Sequence, residues 1–303
     1  MGRKGKSTLN RLYRSIEYYI FILSLKVLSF LPLRFTAKAG EVIGGLLYVI
    51  DRRHRAIALK NLNMALGGER DLDRLKQIAR RSLENLGRSA GEFISIRRYT
   101  KENIREFITF EGLENFESAH KEGKGVIMLT GHFGNWELLG IAISLLGYPF
   151  HVVVRPLDNR PLDKRVNELR SFGGNKVIYK KNALSESLRL LKKRQLVGFL
   201  IDQNTSREEG VFVDFFGKKA ATNRGLALIA LKSRAPVVPV FIIREGQVNH
   251  RVVFEKGVEV TRSGDISEDI TKNTQRFTKI IESYIIKHPD QWLWVHDRWK
   301  TRP

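Results

Sequence analysis

From Phe107 onward the chain alternates between short apolar runs and longer stretches with helical periodicity. Short apolar runs bounded by turns are typical of buried strands, whereas apolar residues that recur every third or fourth position indicate helices. The expected strands are Gly125–Thr130, Phe150–Val154, Lys176–Tyr179, Leu196–Asp202 and Pro236–Ile243. The expected helices are Trp136–Leu146, Pro161–Phe172, Ala183–Lys193 and Thr222–Ser233. This alternation predicts an α/β fold with a mostly parallel central sheet that helices flank on both faces.

The segment before this alternation is helical. Apolar residues between Ala56 and Ile96 recur at three- and four-residue spacing, and neither an internal repeat nor a low-complexity linker interrupts the chain. A chain of 303 residues suits one large domain or two small ones. The predicted organisation is a basic segment with anchor helices over residues 1–50, followed by one folded domain over residues 51–303.

The chain is strongly basic, with 53 Lys and Arg against 32 Asp and Glu and a formal net charge of +21. Its 42% hydrophobic content excludes a disordered polybasic tail, because such tails lack the apolar residues that form a core. The excess charge predicts an anionic partner, which is nucleic acid, an acidic membrane surface, or an acidic protein or phosphorylated substrate.

The amino end places basic residues on both sides of two apolar stretches, 18–33 and 42–50. The basic residues are Arg3, Lys4, Lys6, Arg11 and Arg14 before them, and Arg52, Arg53 and Arg55 after them. A helix of about 16 residues is roughly 24 Å long, shorter than the roughly 30 Å hydrocarbon core. This pattern favours a one-sided membrane anchor on an anionic leaflet. A spanning helix, or an amphipathic or buried helix of a soluble protein, are the alternatives.

A histidine between two glycines follows the first expected strand. Residues 131–137 read Gly-His-Phe-Gly-Asn-Trp-Glu, and Asn135 is the expected N-cap of the next helix. Gly131 and Gly134 let a substrate approach the backbone closely. Glu137, in the first helical turn, is favoured as an anion and can accept a hydrogen bond from one imidazole nitrogen. His132 and Glu137 are therefore candidates for a general base and its orienting acid.

The pair has two other interpretations. In the first, Glu137 only complements the helix dipole while His132 fills a turn. In the second, the pair belongs to a zinc site, which is disfavoured because the chain has no His-Glu-x-x-His helix and no cysteine. The absence of cysteine also excludes disulfides and a cysteine nucleophile. No metal and no cofactor is expected.

The same seven residues resemble the His-x4-Asp/Glu motif of glycerolipid acyltransferases, and more narrowly that of the bacterial lipid A biosynthesis acyltransferases, the lauroyl and myristoyl transferases. The resemblance continues in the family's order along nearly the whole chain. It includes the basic segment around Arg55, Asn61-Leu62, Arg-Pro-Leu-Asp-Asn at 155–159, Asp-Gln at 202–203, and the segments 210–217, 221–222, 236–240 and 288–296. A single His-x4-Glu motif is weak evidence for a family, whereas this ordered series of motifs is strong evidence.

The resemblance implies a glycerolipid acyltransferase-like fold. It also implies transfer of a fatty acyl group from acyl carrier protein, or less often acyl-CoA, to a hydroxyl of a membrane glycolipid. His132 would take the proton from the acceptor hydroxyl and Glu137 would hold and polarise His132, with no acyl-enzyme. Backbone N–H groups of residues 131–134, or Arg155, would stabilise the oxyanion. The expected acceptor is a lipid A precursor, with another glycolipid or a lysophospholipid as the alternative. The expected location is the cytoplasmic face of a bacterial inner membrane.

Three more residues are assigned supporting or substrate-binding roles. Arg155 ends a strand, is expected to reach the same crevice as His132, and would bind a phosphate. Asp202 closes another strand and would orient Arg155 or an acceptor hydroxyl, with capping of the next turn as the alternative. Thr222 opens a helix whose N-terminus suits a phosphate, with the ordinary N-cap role as the alternative.

Two aromatic clusters are open to two interpretations each. Phe212, Phe215 and Phe216 either line an acyl-chain groove or pack in the core, and core packing is the default. Trp292, Trp294 and Trp299 either form a membrane-interface belt or pack on the sheet edge.

Other classes of protein fit the sequence less well. A nucleic-acid-binding protein would explain the charge, but the sequence has no zinc finger, no RNP-like motif and no basic patch interleaved with stacking aromatics. An inactive membrane scaffold would be expected to lack His132 or Glu137. The leading hypothesis is a membrane-bound O-acyltransferase whose partners are acyl carrier protein, a glycolipid and an anionic membrane, and not nucleic acid.

Overall fold

The computed structural model describes residues 3–28, 30–68 and 71–303, with side chains described from residue 13 onward. The side chains of Arg3, Lys4, Lys6 and Arg11 in the expected basic segment lie outside the described residues.

The helices and strands follow one another along the chain as follows. The helices are α1 (Arg3–Leu28), α2 (Leu33–Ile50), α3 (Arg52–Leu66), α4 (Leu72–Ile94), α5 (Ile104–Phe107), α6 (Leu113–Lys121), α7 (Trp136–Leu145), α8 (Arg160–Arg170), α9 (Ala183–Lys192), α10 (Gly225–Ser233) and α11 (Ile266–Lys287). The strands are β1 (Ile108–Glu111), β2 (Val126–Thr130), β3 (His151–Val154), β4 (Lys176–Tyr179), β5 (Leu196–Leu200), β6 (Gly210–Phe215), β7 (Lys218–Asn223), β8 (Val237–Arg244) and β9 (His250–Phe254).

Seven of these strands form the central sheet, in the order β1-β9-β8-β2-β5-β3-β4. All neighbours pair in parallel except β8 and β9, which are antiparallel. Alternate residues of β2 enter different apolar clusters, Ile127 and Leu129 in one and Val126 and Met128 in the other, so the sheet is covered on both faces. The prediction of a mostly parallel α/β sheet flanked by helices is confirmed.

The expected strands correspond to β2, β3, β4, β5 and β8, within two residues at each end. The sequence does not predict four of the strands or the helices α5, α6 and α11. Two of those strands, β6 and β7, form a separate antiparallel hairpin that turns at Phe216 and Gly217, both with positive φ. The helix expected to begin at Thr222 begins at Gly225, because Thr222 pairs with Val211 in that hairpin.

Helices α1 and α2 present apolar side chains to solvent. The exposed residues include Tyr19, Ile20 and Leu23 of α1, Phe30 in the turn between the helices, and Phe35, Val42, Leu46 and Ile50 of α2. Among residues 3–28, 30–68 and 71–303, no helix combines the length and the apolarity needed to cross a membrane. Residue 50 ends α2, and Asp51 caps α3 by accepting a hydrogen bond from the His54 amide. The division of the chain into 1–50 and 51–303 stays a prediction.

Glycines bring α2 and α4 into backbone contact. A Cβ on Gly40 would lie 2.0 Å from the carbonyl oxygen of Gly87, and one on Gly44 would lie 2.1 Å from that of Leu83. Such distances leave no room for a side chain, so the two backbones touch directly. The contact attaches the exposed apolar face of α2 to the helix that reaches the site described below.

We predict that Gly44→Ala destabilises the protein by about 1–3 kcal/mol, because the added methyl group must push α2 away from α4. Gly45→Ala is the matched control. It lies one residue along the same helix, and its Cβ would meet only the Glu84 side chain, at 3.4 Å. Thermal unfolding in detergent measures both variants, and equal melting temperatures would contradict this account of the helix contact.

Candidate active site

The turn after β2 is built by glycine and by one capping side chain. The Asn135 side chain accepts a hydrogen bond from the Leu138 amide at 3.1 Å, so the predicted N-cap is confirmed. Gly134 has φ +58°, and a Cβ there would lie 2.0 Å from the carbonyl oxygen of Ile242. Only glycine fits at this position, because a side chain would meet both the strained backbone conformation and the adjacent strand β8.

His132 is held by Asp202. The imidazole Nδ1 lies 2.9 Å from Oδ1 of Asp202, and the His132 backbone N–H donates to Oδ2, also at 2.9 Å. Trp292 donates its indole N–H to the same Oδ2 at 2.7 Å. A Cβ on Gly131 would lie 3.2 Å from Cγ of Asp202, so the glycine gives the carboxylate room against the turn. These contacts fix both the position and the orientation of the imidazole ring.

Asp202 is an anion in this environment although it is buried. Burial raises the pKa of its carboxyl, but the neighbouring charge of His132 and the hydrogen bonds from His132 and Trp292 lower it further, to about 2. A carboxylate that accepts from Nδ1 fixes the tautomer in which Nε2 carries a lone pair. Asp202 and His132 therefore have the arrangement of a general base with its orienting acid.

The other side of the imidazole is accessible. The His132 side chain keeps 20% of its surface exposed, whereas that of Asp202 keeps 1%. The amide nitrogen of Gln203 lies 3.3 Å from Nε2, and the Trp136 ring packs edge-on at 5.2 Å between centroids. A hydroxyl that displaces the Gln203 amide can reach Nε2.

The prediction of a hydrogen bond between His132 and Glu137 is wrong, because Asp202 is the carboxylate at Nδ1. Glu137 instead forms a two-pronged ion pair with Arg170 of α8, with Nη2 to Oε1 at 2.6 Å and Nε to Oε2 at 2.9 Å. Both side chains are about four-fifths buried. Glu137 joins α7 to α8, so any influence on His132 passes through the position of the helix.

The backbone amides of the turn are already used inside the protein. The His132 N–H binds Asp202, the Phe133 N–H binds the carbonyl of Gly131 at 2.8 Å, and the Gly134 N–H binds the carbonyl of Gln291 at 2.8 Å. The amides of residues 131–134 are expected to form an oxyanion hole, and for residues 132–134 this expectation is wrong in this arrangement. The expectation for the Gly131 amide stays a prediction, so an oxyanion needs a donor other than the amides of residues 132–134.

Arg155 and Thr222 do not join His132. Arg155 is exposed and lines a groove beyond β3 whose lining residues do not include His132. Thr222 is fully buried, and its hydroxyl pairs with the guanidinium of Arg298, so neither its expected N-cap role nor contact with a ligand fits its position. The phosphate-binding role of Arg155 stays a prediction.

The carboxyl-terminal segment packs against the site through Trp292, which donates to Asp202. Trp292, Trp294 and Trp299 are buried, which confirms packing rather than a membrane-interface belt. Phe215 is also buried, and its ring lies 5.6 Å from that of Trp292. The default interpretation of Phe215 as a core residue is confirmed.

A second buried carboxylate, that of Glu92, holds the turn through Asn135. Glu92 of α4 accepts two hydrogen bonds from Arg244 of β8, each 2.7 Å long, and lies 3.3 Å from the His250 ring. The amide of Asn135 donates to it at 2.6 Å. The sequence predicts no role for Glu92, because only the fold brings these four residues together.

Comparisons with known proteins identify the family of the chain. A family model described as bacterial lipid A biosynthesis acyltransferase matches residues 3–301. The chain is 29% identical over 266 residues to a lipid A biosynthesis palmitoleoyltransferase of Escherichia coli, covering 87% of this chain and 84% of that protein. It is 27% identical over 302 residues to a lipid A biosynthesis acyltransferase of Haemophilus influenzae, covering 98% and 91%. It is also 26% identical over 280 residues to the lauroyltransferase of Escherichia coli, covering 90% and 88%.

The chain is thus an acyltransferase, and it belongs to the bacterial lipid A biosynthesis acyltransferase family. The family resemblance of the ordered motifs is confirmed.

We predict that Glu92→Gln destabilises the protein at neutral pH by about 3–5 kcal/mol, because Arg244 stays buried without its anion. Burial raises the pKa of Glu92, yet the charges of His250 and Arg244 lower it to about 2, below the ordinary 4.5. The stability that a lowered carboxyl pKa contributes is present above pH 4.5 and is lost as the pH falls toward 2. The difference between the native protein and Glu92→Gln should therefore shrink in that window.

Urea unfolding at several pH values measures this difference. Glu186→Gln is the control, because Glu186 pairs with Arg189 at the surface, where such pairs contribute less than about 1 kcal/mol. An unchanged gap between native protein and Glu92→Gln from neutral pH down to about pH 3 would refute the assignment.

Proposed function

We propose that this chain transfers a fatty acyl group from an acyl carrier protein thioester, or from acyl-CoA, to a hydroxyl of a lipid A precursor. The observation that carries the proposal is the imidazole of His132, fixed at Nδ1 by the anionic Asp202 and accessible at Nε2. Membership in the lipid A biosynthesis acyltransferases supports the choice of acceptor.

The transfer needs no covalent enzyme intermediate. The acceptor hydroxyl replaces the Gln203 amide at Nε2, and its oxygen attacks the thioester carbonyl carbon as its proton passes to Nε2. The tetrahedral oxyanion then collapses, the C–S bond breaks, and the thiol leaves with the proton held at Nε2. Asp202 stabilises the imidazolium between these steps without taking its proton.

Two other side chains support this step. Once the acceptor hydroxyl has displaced it from Nε2, the Gln203 amide is free to donate, and we assign it to the oxyanion because the amides of residues 132–134 are occupied. Glu137 acts as a positioning residue, because its ion pair with Arg170 fixes the helix that begins three residues after Phe133.

The exposed apolar face of α1 and α2 supports a place at a membrane. Phe35 and Ile50 of α2 are 63% and 72% exposed, and Phe30 in the turn between the two helices is 82% exposed. Such exposure is costly in water and favourable at the boundary of lipid headgroups and acyl chains. We assign the protein to the cytoplasmic face of a bacterial inner membrane, where a lipid acceptor and a soluble acyl donor meet. The basic charge of the chain then attracts both an anionic leaflet and an acidic carrier protein.

The function is tested by incubating purified protein with acyl carrier protein and coenzyme A thioesters of several chain lengths and a lipid A precursor. Mass spectrometry should find the acceptor heavier by one acyl group. Asp202→Asn should lower kcat by about 10²–10⁴, because the imidazolium loses its anion, and should move the acid limb of the pH–rate profile to lower pH. Glu137→Gln should leave the acid limb of the pH–rate profile at the same pH, even if kcat falls, because Glu137 does not touch the imidazole.

His132→Ala serves as the reference for lost base catalysis, and all variants are checked for native melting behaviour. Full transfer by a folded His132→Ala variant would remove the histidine from the mechanism. If Glu137→Gln moved the acid limb and Asp202→Asn did not, Glu137 rather than Asp202 would be the partner of His132.

We predict that the double variant Phe35→Glu/Leu46→Glu binds vesicles of phosphatidylethanolamine and phosphatidylglycerol at least about tenfold more weakly than the native protein. Each buried apolar side chain contributes to lipid partitioning, and neither side chain is needed in the core because both are more than half exposed. Ile266→Glu is the control, since Ile266 is 62% exposed at the start of α11. Flotation at high salt measures binding, and equal loss in both variants would contradict a role for α1 and α2.

A further inference from the structure

A groove of about 1160 Å³ opens beyond the carboxyl ends of β3 and β4. Three parts of the chain line it: the loop after β3, the helix α8, and a short 3-10 helix at Ile96–Arg98 that follows α4. The mechanism proposed above does not use this groove.

Four cationic side chains line the groove, namely Arg97, Arg155, Arg160 and Lys164. Within the described residues, none of the four has a hydrogen-bond or ion-pair partner. This distinguishes them from nearby cations such as Arg165, which pairs with Glu168 at 2.7 Å, and Arg170, which pairs with Glu137. Unpaired cations in a concave surface concentrate positive potential and attract anions.

The acidic residues of the groove do not neutralise these cations. Asp163 is buried and accepts hydrogen bonds from the Leu157 amide at 2.9 Å, from Asn167 at 3.1 Å and from the Tyr179 hydroxyl at 2.9 Å. It thereby ties the loop after β3 to α8. Glu168 is taken by Arg165, so Asp158 is the one acidic lining residue with no such contact among the described residues.

The groove lies between the apolar helix α1 and the His132 turn. Asn159, next to Arg160, donates to the backbone carbonyl of Arg14 at 2.7 Å and to Glu17 at 2.9 Å, both on α1. On the other side, Arg170 contacts Asn167 of the groove at 3.4 Å and Glu137 of α7 at 2.6 Å. A ligand in the groove is therefore one helix away from the reacting histidine and directly beside an exposed apolar face.

We infer that Arg97, Arg155, Arg160 and Lys164 form a binding subsite for a phosphate monoester on the headgroup of the acceptor lipid. Arginine guanidinium groups bind phosphate through paired N–H donors, and lysine adds a mobile point charge. The apolar face of α1 would hold the acyl chains of the same molecule. This inference rests on the proposed function, because it assigns the phosphate to the acceptor rather than to the phosphopantetheine arm of the donor.

The test compares the phosphorylated lipid A precursor with the same precursor after phosphatase treatment, at one fixed donor. The variants are Arg155→Ala, Arg97→Ala and the double variant. Each single change should raise the KM for the phosphorylated acceptor by about tenfold, as expected for one lost charge-assisted contact. The KM for the dephosphorylated acceptor and the KM for the donor should not change. Arg189→Ala, which removes a paired surface arginine from α9, is the control and should behave as the native protein.

Two results would overturn the inference. A rise in the donor KM, with the acceptor KM unchanged, would assign the groove to phosphopantetheine. An equal loss with both acceptors would mean that the arginines recognise no phosphate of the acceptor.

A binding experiment separates this inference from the proposed function. His132→Ala protein is titrated with each acceptor in detergent micelles, where tighter binding of the phosphorylated form is expected and should disappear in His132→Ala/Arg155→Ala. Phosphate-dependent binding without transfer by the native protein to any lipid A precursor would overturn the proposed function and keep the subsite. Transfer without phosphate-dependent binding would overturn the subsite and keep the proposed function.

Discussion

The parallel pairing of β2 with β5 is the constraint on which the site depends. In this register Thr130 lies opposite Leu200. Two residues further along each chain, His132 and Asp202 leave the sheet at the same level and on neighbouring strands. The hydrogen bond between them needs no long loop and no flexible side chain, because the sheet itself sets the separation. A shift of one residue in this register would turn the two side chains to different places.

Two buried carboxylates hold the turn at different residues. Asp202 binds the imidazole of His132, whereas Glu92 binds the capping side chain of Asn135. Neighbouring positive charge and hydrogen bonds lower the pKa of both carboxyls to about 2 against the effect of burial. Each anion is also bonded to a residue from a distant part of the chain, Trp292 in one case and Arg244 in the other. The turn is therefore held in place by contacts with three parts of the chain, namely α4, β8 and the carboxyl-terminal segment.

The sequence predicted the central strands well and the partner of His132 badly. Lys176–Tyr179 was expected and observed with the same bounds, because a short apolar run between turns has few other structures open to it. Glu137 is the carboxylate nearest to His132 in the sequence, but its place in the first turn of α7 directs its side chain to Arg170. Asp202 was identified as a strand-end residue, yet its role depends on β5 being next to β2, and the order of strands leaves no mark in a single sequence. The tryptophans near the end were ambiguous for a similar reason, since only the fold decides between burial and an interface.

The glycine contact between α2 and α4 sets the distance between these two helices. Where two backbones touch without side chains between them, their separation has almost no freedom to change. Helix α4 reaches the His132 turn through Glu92, so direct contacts connect the exposed apolar surface of α2 to the turn that carries the reacting nitrogen. On the proposed membrane attachment, the depth of the bilayer surface then fixes how far above the lipid the reaction takes place. The enzyme would then select its acceptor hydroxyl by distance from the membrane surface. It would modify the sugar position that lies at that distance while the acyl chains remain in the membrane.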